Sequence, residues 1–109
     1  MKFYYNGKLV RTSKTHEYKY ALINIETGHC YACGADRRNP ENELNYRSGN
    51  LRVYKAVKNG QYRQKDKCHC TADEIRKNAE KYYGSLENAI AECEKYISKL
   101  QIVELEPRA

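Results

Sequence analysis

Two short cysteine patterns are the residues best suited to chemistry in this 109-residue sequence: Cys30-x-x-Cys33-Gly34, with His29 beside it, and Cys68-His69-Cys70. Two thiolates separated by two residues and followed by glycine make half of a zinc knuckle, because a tight turn aims both sulfurs at one tetrahedral ion. Cys68 and Cys70, or one of them with His69, would close such a site. Two features argue against it. The second pair is Cys-x-Cys, and the run His29 to Cys33 reads as a strand, where residues three apart point to opposite faces. The reading is therefore reduced structural cysteines, with no metal and no cofactor. Cys93 falls on an apolar helical stripe and reads as core. No local signature of a cysteine hydrolase surrounds any of the five cysteines, and neither a P-loop nor a dinucleotide-binding glycine pattern is present. The paired carboxylates Glu41/Glu43 and Glu92/Glu94 sit where a helix start or a solvent face explains them. A non-enzymatic protein is expected.

The basic and aromatic residues point to binding. From Arg47 to Lys67 there are seven basic residues against one acid, with Tyr54 and Tyr62 interleaved, and Arg37-Arg38 lies just upstream. Guanidinium groups grip phosphates through paired hydrogen bonds. A tyrosine ring offers a face on which a base stacks for about 1–3 kcal/mol. Residues 1–70 carry 14 Lys+Arg against 6 Asp+Glu, whereas residues 71–109 carry 6 against 8. The positive excess thus belongs to the first two thirds and favours an anionic partner there.

These residues need elements to hold them. Asn6-Gly7 supplies the two positive-φ positions of a tight hairpin between Phe3-Tyr4-Tyr5 and Leu9-Val10. Glu17 to Ile25 reads as a longer strand, Thr27-Gly28 breaks it, and His29 to Cys33 returns, giving an antiparallel meander of about four strands. Asn39-Pro40, followed by Glu41 and Glu43, starts a helix that Asn59-Gly60 ends, with a break at Ser48-Gly49-Asn50. Residues 61–70 read as a basic loop or an irregular strand. Thr71 and Glu74 form a capping box for a helix that Gly84 ends. Ser85 then caps a last helix whose Leu86, Ile90, Cys93, Ile97 and Leu100 make one apolar stripe. The β-rich first third is the expected partner of that stripe. Gln101 to Leu105 is a possible further strand, with Pro107-Arg108-Ala109 as a tail. The class is α+β: an N-terminal antiparallel sheet of about four strands packed against two to three helices, in one domain spanning residues 1–109.

Composition sets the remaining bounds. Leu, Ile, Val and Phe amount to only 18 residues, while there are 11 Tyr, each able to bury a large ring and keep a hydroxyl for hydrogen bonding. A tyrosine-rich, aliphatic-poor domain completes its apolar burial by self-association, so a homo-oligomer is expected. The odd cysteine count and the absence of an apolar leader at MKFYYNGK or of a spanning apolar run point to a reducing compartment and no membrane.

The segments FYYNGKLVRTS, YKYALINIETG and DEIRKNAEKYYGSLENAIAECEKYI resemble small phage proteins of Gram-positive hosts, and among those the phage anti-Thoeris sponge family. The resemblance covers most of the chain in layout, an N-terminal antiparallel sheet packed across C-terminal helices. It implies a protein that sequesters, without altering it, the cyclic ADP-ribose isomer made as an alarm by bacterial TIR-domain enzymes; related members hold cyclic oligonucleotides. It also implies action in the cytoplasm of the bacterial host. A ligand with two phosphates and an adenine calls for arginines and an aromatic platform in a pocket. Arg37, Arg38, Arg52 and Arg108 are the candidates for the phosphates. Tyr82 and Tyr83 at the helical elbow are the candidates for stacking, and Asn88 is the candidate for the base edge. Two other classes fit the same residues: a small phage inhibitor that binds a host nuclease or nucleic acid, as anti-CRISPR proteins do, and a zinc-knuckle nucleic-acid binder.

Overall fold

The computed structural model describes residues 1–109 as an α+β protein with six strands and four helices. The residues divide into two compact units, Met1–Arg47 with Ser98–Ala109, and Ser48–Ile97. No helix is long and apolar enough to cross a membrane.

The first unit holds β1 (Lys2–Tyr5), β2 (Lys8–Thr12), β3 (Tyr20–Asn24), β4 (Cys30–Gly34), α1 (Arg38–Arg47), β5 (Leu100–Glu104) and β6 (Glu106–Arg108). The β1–β2 turn has Asn6 at φ 49° and Gly7 at φ 75°, the two left-handed residues the hairpin requires. The four N-terminal strands do not run on as one meander. They divide between two antiparallel three-stranded sheets, ordered β2-β1-β6 and β4-β3-β5. The reason lies in β3, whose Ala21, Leu22, Ile23 and Asn24 are all buried. A strand apolar on both faces belongs in the middle of a sheet, with a partner on each edge, and β4 and β5 take those places.

Residues of both sheets build one core: Phe3 from β1, Ala21 and Ile23 from β3, Cys33 from β4 and Val103 from β5, joined by Leu105. Leu22 lies on the opposite face of β3, the side on which α1 packs against β3 and β4. Pro40, in the first turn of α1, is likewise fully buried. The last residues are not a loose tail, because Glu106–Arg108 pairs with β1, Phe3 opposite Pro107. Proline is tolerated there because β6 is an edge strand with one unpaired side.

The second unit holds α2 (Gly49–Lys58), α3 (Ala72–Tyr83) and most of α4 (Leu86–Ser98). Each boundary has a local cause. The Thr71–Glu74 capping box is formed in both directions, Gly84 closes α3 at φ 90°, and the Ser85 hydroxyl accepts the Asn88 N–H at 3.0 Å. The chain breaks at Ser48, between α1 and α2, where no side chain caps the helix. Leu86, Ala89 and Ile90 of α4 bury against Val57 of α2 and Ile75 and Ala79 of α3. The front of the α4 stripe therefore finds its partner layer in two other helices, not in the strands. Ala79 and Ala89, both fully buried, are the small residues that let such helices approach closely.

Candidate functional site

Two β-bulges in the first unit bring together side chains that regular strands would keep apart. In β4, Cys33 stands opposite Ala21 and Ala32 opposite Leu22, but Cys30, not Tyr31, stands opposite Ile23. Tyr31 is the extra residue. It shifts Cys30 onto the same face as Cys33, because Ala21 and Ile23 share a face of β3. Strand parity alone predicts opposite faces; the bulge overturns that expectation. The two sulfurs lie 3.4 Å apart. In β2, Arg11 stands opposite Phe3 but Leu9 stands opposite Tyr4, so Val10 is the extra residue there. Arg11 thereby shares the core-facing side of Phe3. Its guanidinium lies 5.7 Å from the centre of the Tyr18 ring, and its charge acts on Cys33.

The electrostatics of this cluster are asymmetric. The hydrogen bond from Cys30 and then the Arg11 guanidinium draw the Cys33 thiol down to about 6, against the burial that pushes it up. Cys30 moves the opposite way, because its S–H is held by Cys33 and it is partly buried. The pair gives up one proton readily and resists giving up the second. The Ala32 carbonyl, 3.7 Å from the Cys30 sulfur, is a competing acceptor for the same S–H. Neither unit gathers three or more His, Cys, Asp or Glu side chains in a way that would hold a metal ion. Cys68 and Cys70 are exposed on the loop of the second unit, which is pinned by Tyr62 Oη donating to the Cys70 carbonyl at 2.6 Å and by Asp66 Oδ1 against His69 Nδ1 at 2.7 Å.

A second arrangement consists of guanidinium groups lying over tyrosine rings in the first unit. Arg37 stands 5.4 Å from the centre of Tyr20, Arg47 4.4 Å from Tyr31 and Arg108 4.6 Å from Tyr4. Each ring fixes the plane of a group that would otherwise sweep freely. Arg37 also pairs with Glu41 at 3.2 Å and Arg108 with Glu106 at 3.3 Å, while both side chains keep about half their surface in water.

The seven residues chosen from the sequence fall on both units. Arg37 immediately precedes α1 and Arg38 opens it, with the Arg38 N–H donating to Asp36 Oδ1 at 2.8 Å, and Arg108 lies on β6. Arg52 is exposed on α2. At the α3–α4 elbow, Tyr82 is 71 % exposed and Tyr83 meets Tyr54 edge to face at 6.2 Å. Asn88 Nδ2 donates to the Tyr83 carbonyl at 3.1 Å, so Tyr83 and Asn88 are brought together there. None of the seven lines either of two hollows of the first unit. One, of about 420 Å³, is walled by Phe3, Tyr18, Lys19, Leu105 and Pro107; the other, of about 410 Å³, lies between the β1–β2 hairpin and the Asn24–Gly28 turn. Sequence reasoning did not single out Arg11, Tyr4 or Tyr20. Only the Cys-x-x-Cys spacing signalled that something was built around β4.

Compared with family models, with curated proteins and with solved structures, the chain matches none.

Proposed function

We propose that this chain is a non-enzymatic binder of a phosphate-bearing, nucleotide-derived anion, the ligand class of the anti-Thoeris sponges whose layout it resembles. The observation that carries the reading is the pair Arg37 on Tyr20 and Arg108 on Tyr4: two half-exposed guanidinium groups, each held over a ring. A guanidinium fixed in this way loses less rotamer freedom when it meets a phosphate, which favours capture. The uneven charge of the sequence supports the same partner, since the positive excess lies in residues 1–70. In this reading the protein works as a homo-oligomer in the cytoplasm of an infected bacterium. It withholds a cyclic ADP-ribose isomer from its effector without changing it.

The test is retention and release. The protein is incubated with the product of a TIR-domain enzyme and passed through a filter that holds back protein, and the retained fraction is heated. Recovery of intact product only after heating is the expected result, with retention weakened at least about tenfold in an Arg37→Ala, Arg108→Ala double variant. Free passage of the product, or its chemical conversion, would overturn the reading. Salt-sensitive binding to arbitrary oligonucleotides would move it to the nucleic-acid class.

A further inference from the structure

The dithiol on β4 is a built arrangement that anion binding does not use. Cys30 and Cys33 share a face only because Tyr31 is bulged, and the Val10 bulge on β2 sets Arg11 opposite Phe3, on the core-facing side. β2 and β4 are both edge strands of their sheets, the position where bulges re-aim side chains. Structural cysteines filling a core need neither contact between their sulfurs nor a cation beside them.

We propose that Cys30 and Cys33 form a peroxide-oxidised pair, with Cys33 as the attacking sulfur and Cys30 as the resolving one, closing a disulfide within β4. Two geometric facts make the pair, and the charge that acts on Cys33 assigns the roles. The sulfurs are already in contact at 3.4 Å, so bond formation needs an approach of roughly 1.4 Å. Arg11, on the core-facing side of β2 with Phe3, carries the charge that favours a thiolate at Cys33 and the negative charge that develops on a departing oxygen. Cys30 is half-buried, whereas Cys33 is buried, so the pair has one flank toward solvent through which a molecule as small as peroxide arrives.

The Cys33 thiolate attacks one oxygen of hydrogen peroxide. The S–O bond forms as the O–O bond breaks, and the departing hydroxide takes up the proton that Cys33 had released and leaves as water. The Cys30 sulfur then attacks Cys33 Sγ. The S–S bond forms as the S–O bond breaks, and the second hydroxide leaves as water with the Cys30 proton. Two thiols together lose two electrons, and one peroxide becomes two waters.

The test uses the full chain, fully reduced, treated with one equivalent of hydrogen peroxide, blocked with iodoacetamide and mapped by mass spectrometry. The expected result is a Cys30–Cys33 disulfide, two hydrogens lighter than the dithiol, while the exposed Cys68 and Cys70 remain alkylated. In Cys30→Ser, Cys33 stops at the sulfenic acid and is trapped by dimedone. Arg11→Gln slows disulfide formation about tenfold, and Arg11→Lys recovers part of the rate. Oxidation at Cys68 and Cys70 with Cys30 and Cys33 still alkylated would overturn the proposal. So would a Cys30→Ser protein that yields no dimedone adduct at Cys33. Mapping the unaltered chain distinguishes the two outcomes whether or not any variant folds.

Discussion

Truncating the α4 stripe one residue at a time tests which layer it packs on. Leu86 and Ile90 are only 6 % and 8 % exposed, in a cluster with Val57, Ile75 and Ala79. Changing either to Ala removes three carbons, worth about 2.4 kcal/mol in transfer free energy at about 0.8 kcal/mol each. The cavity adds to that, so each variant should lose about 3 kcal/mol of stability. For a chain of this length such a loss lowers the melting temperature by at least about 12 °C. Ile97 lies on the same stripe about three turns from Leu86 by sequence pattern but is only half-buried. Ile97→Ala should therefore cost about 1 kcal/mol. Guanidinium unfolding followed by far-ultraviolet circular dichroism gives the three values, with similar slopes required for the comparison. Equal losses at all three positions, or losses below about 1 kcal/mol at Leu86 and Ile90, would refute the assignment of the front of the stripe to the helical core.

Three further outcomes follow from single sites. Thr71→Ala removes the hydroxyl that accepts the Glu74 N–H at 3.2 Å and should cost about 1 kcal/mol in the same unfolding assay, whereas Thr71→Ser should be nearly neutral. Gly34→Ala places a Cβ at 2.8 Å from the Asp36 carbonyl oxygen and 3.3 Å from Pro40 Cδ, so the β4–α1 connection must shift; a loss of about 1–3 kcal/mol is expected, and a neutral variant would contradict the tight approach. The third concerns pH. Cys33 in the fold titrates near 6, below its ordinary value of 9.0, so its thiolate persists at neutral pH and its far-ultraviolet thiolate absorbance should rise with a midpoint near 6. By the same sign, this group's contribution to stability is fully present above its ordinary value and is lost as pH falls through about 6. In Arg11→Gln the absorbance step should move upward; an unchanged midpoint would remove Arg11 as a cause.

Much of the local structure could be read directly from residue types. The Asn6-Gly7 hairpin, the Ser48–Asn50 break, the Thr71–Glu74 box and the Gly84–Ser85 elbow all depend on interactions within four residues, which a sequence states almost completely. The assembly of strands was less accessible. Glu17 to Ile25 reads as one strand among four, yet the observed β3 needs a pairing strand on each edge, and nothing near it in sequence names Leu100–Glu104 as one of them. The α4 stripe announces a buried face in the same way but leaves its partner unnamed, and here two helices, not the strands, take the front of it.

The chemistry divides along the same line. Sequence alone determined that cysteines stand at positions 30 and 33 and that arginines crowd the first two thirds of the chain. Parity along a regular strand then sends the two sulfurs apart. Only the tertiary structure decided otherwise, because the residue that each strand accommodates as a bulge is set by its pairing with a neighbour: Tyr31 against the Leu22–Ile23 step, Val10 against Phe3–Tyr4. A one-residue offset in each of two edge strands turns separate side chains into a dithiol with a guanidinium at its side. That offset is a property of the pairing between strands, which no single stretch of sequence contains.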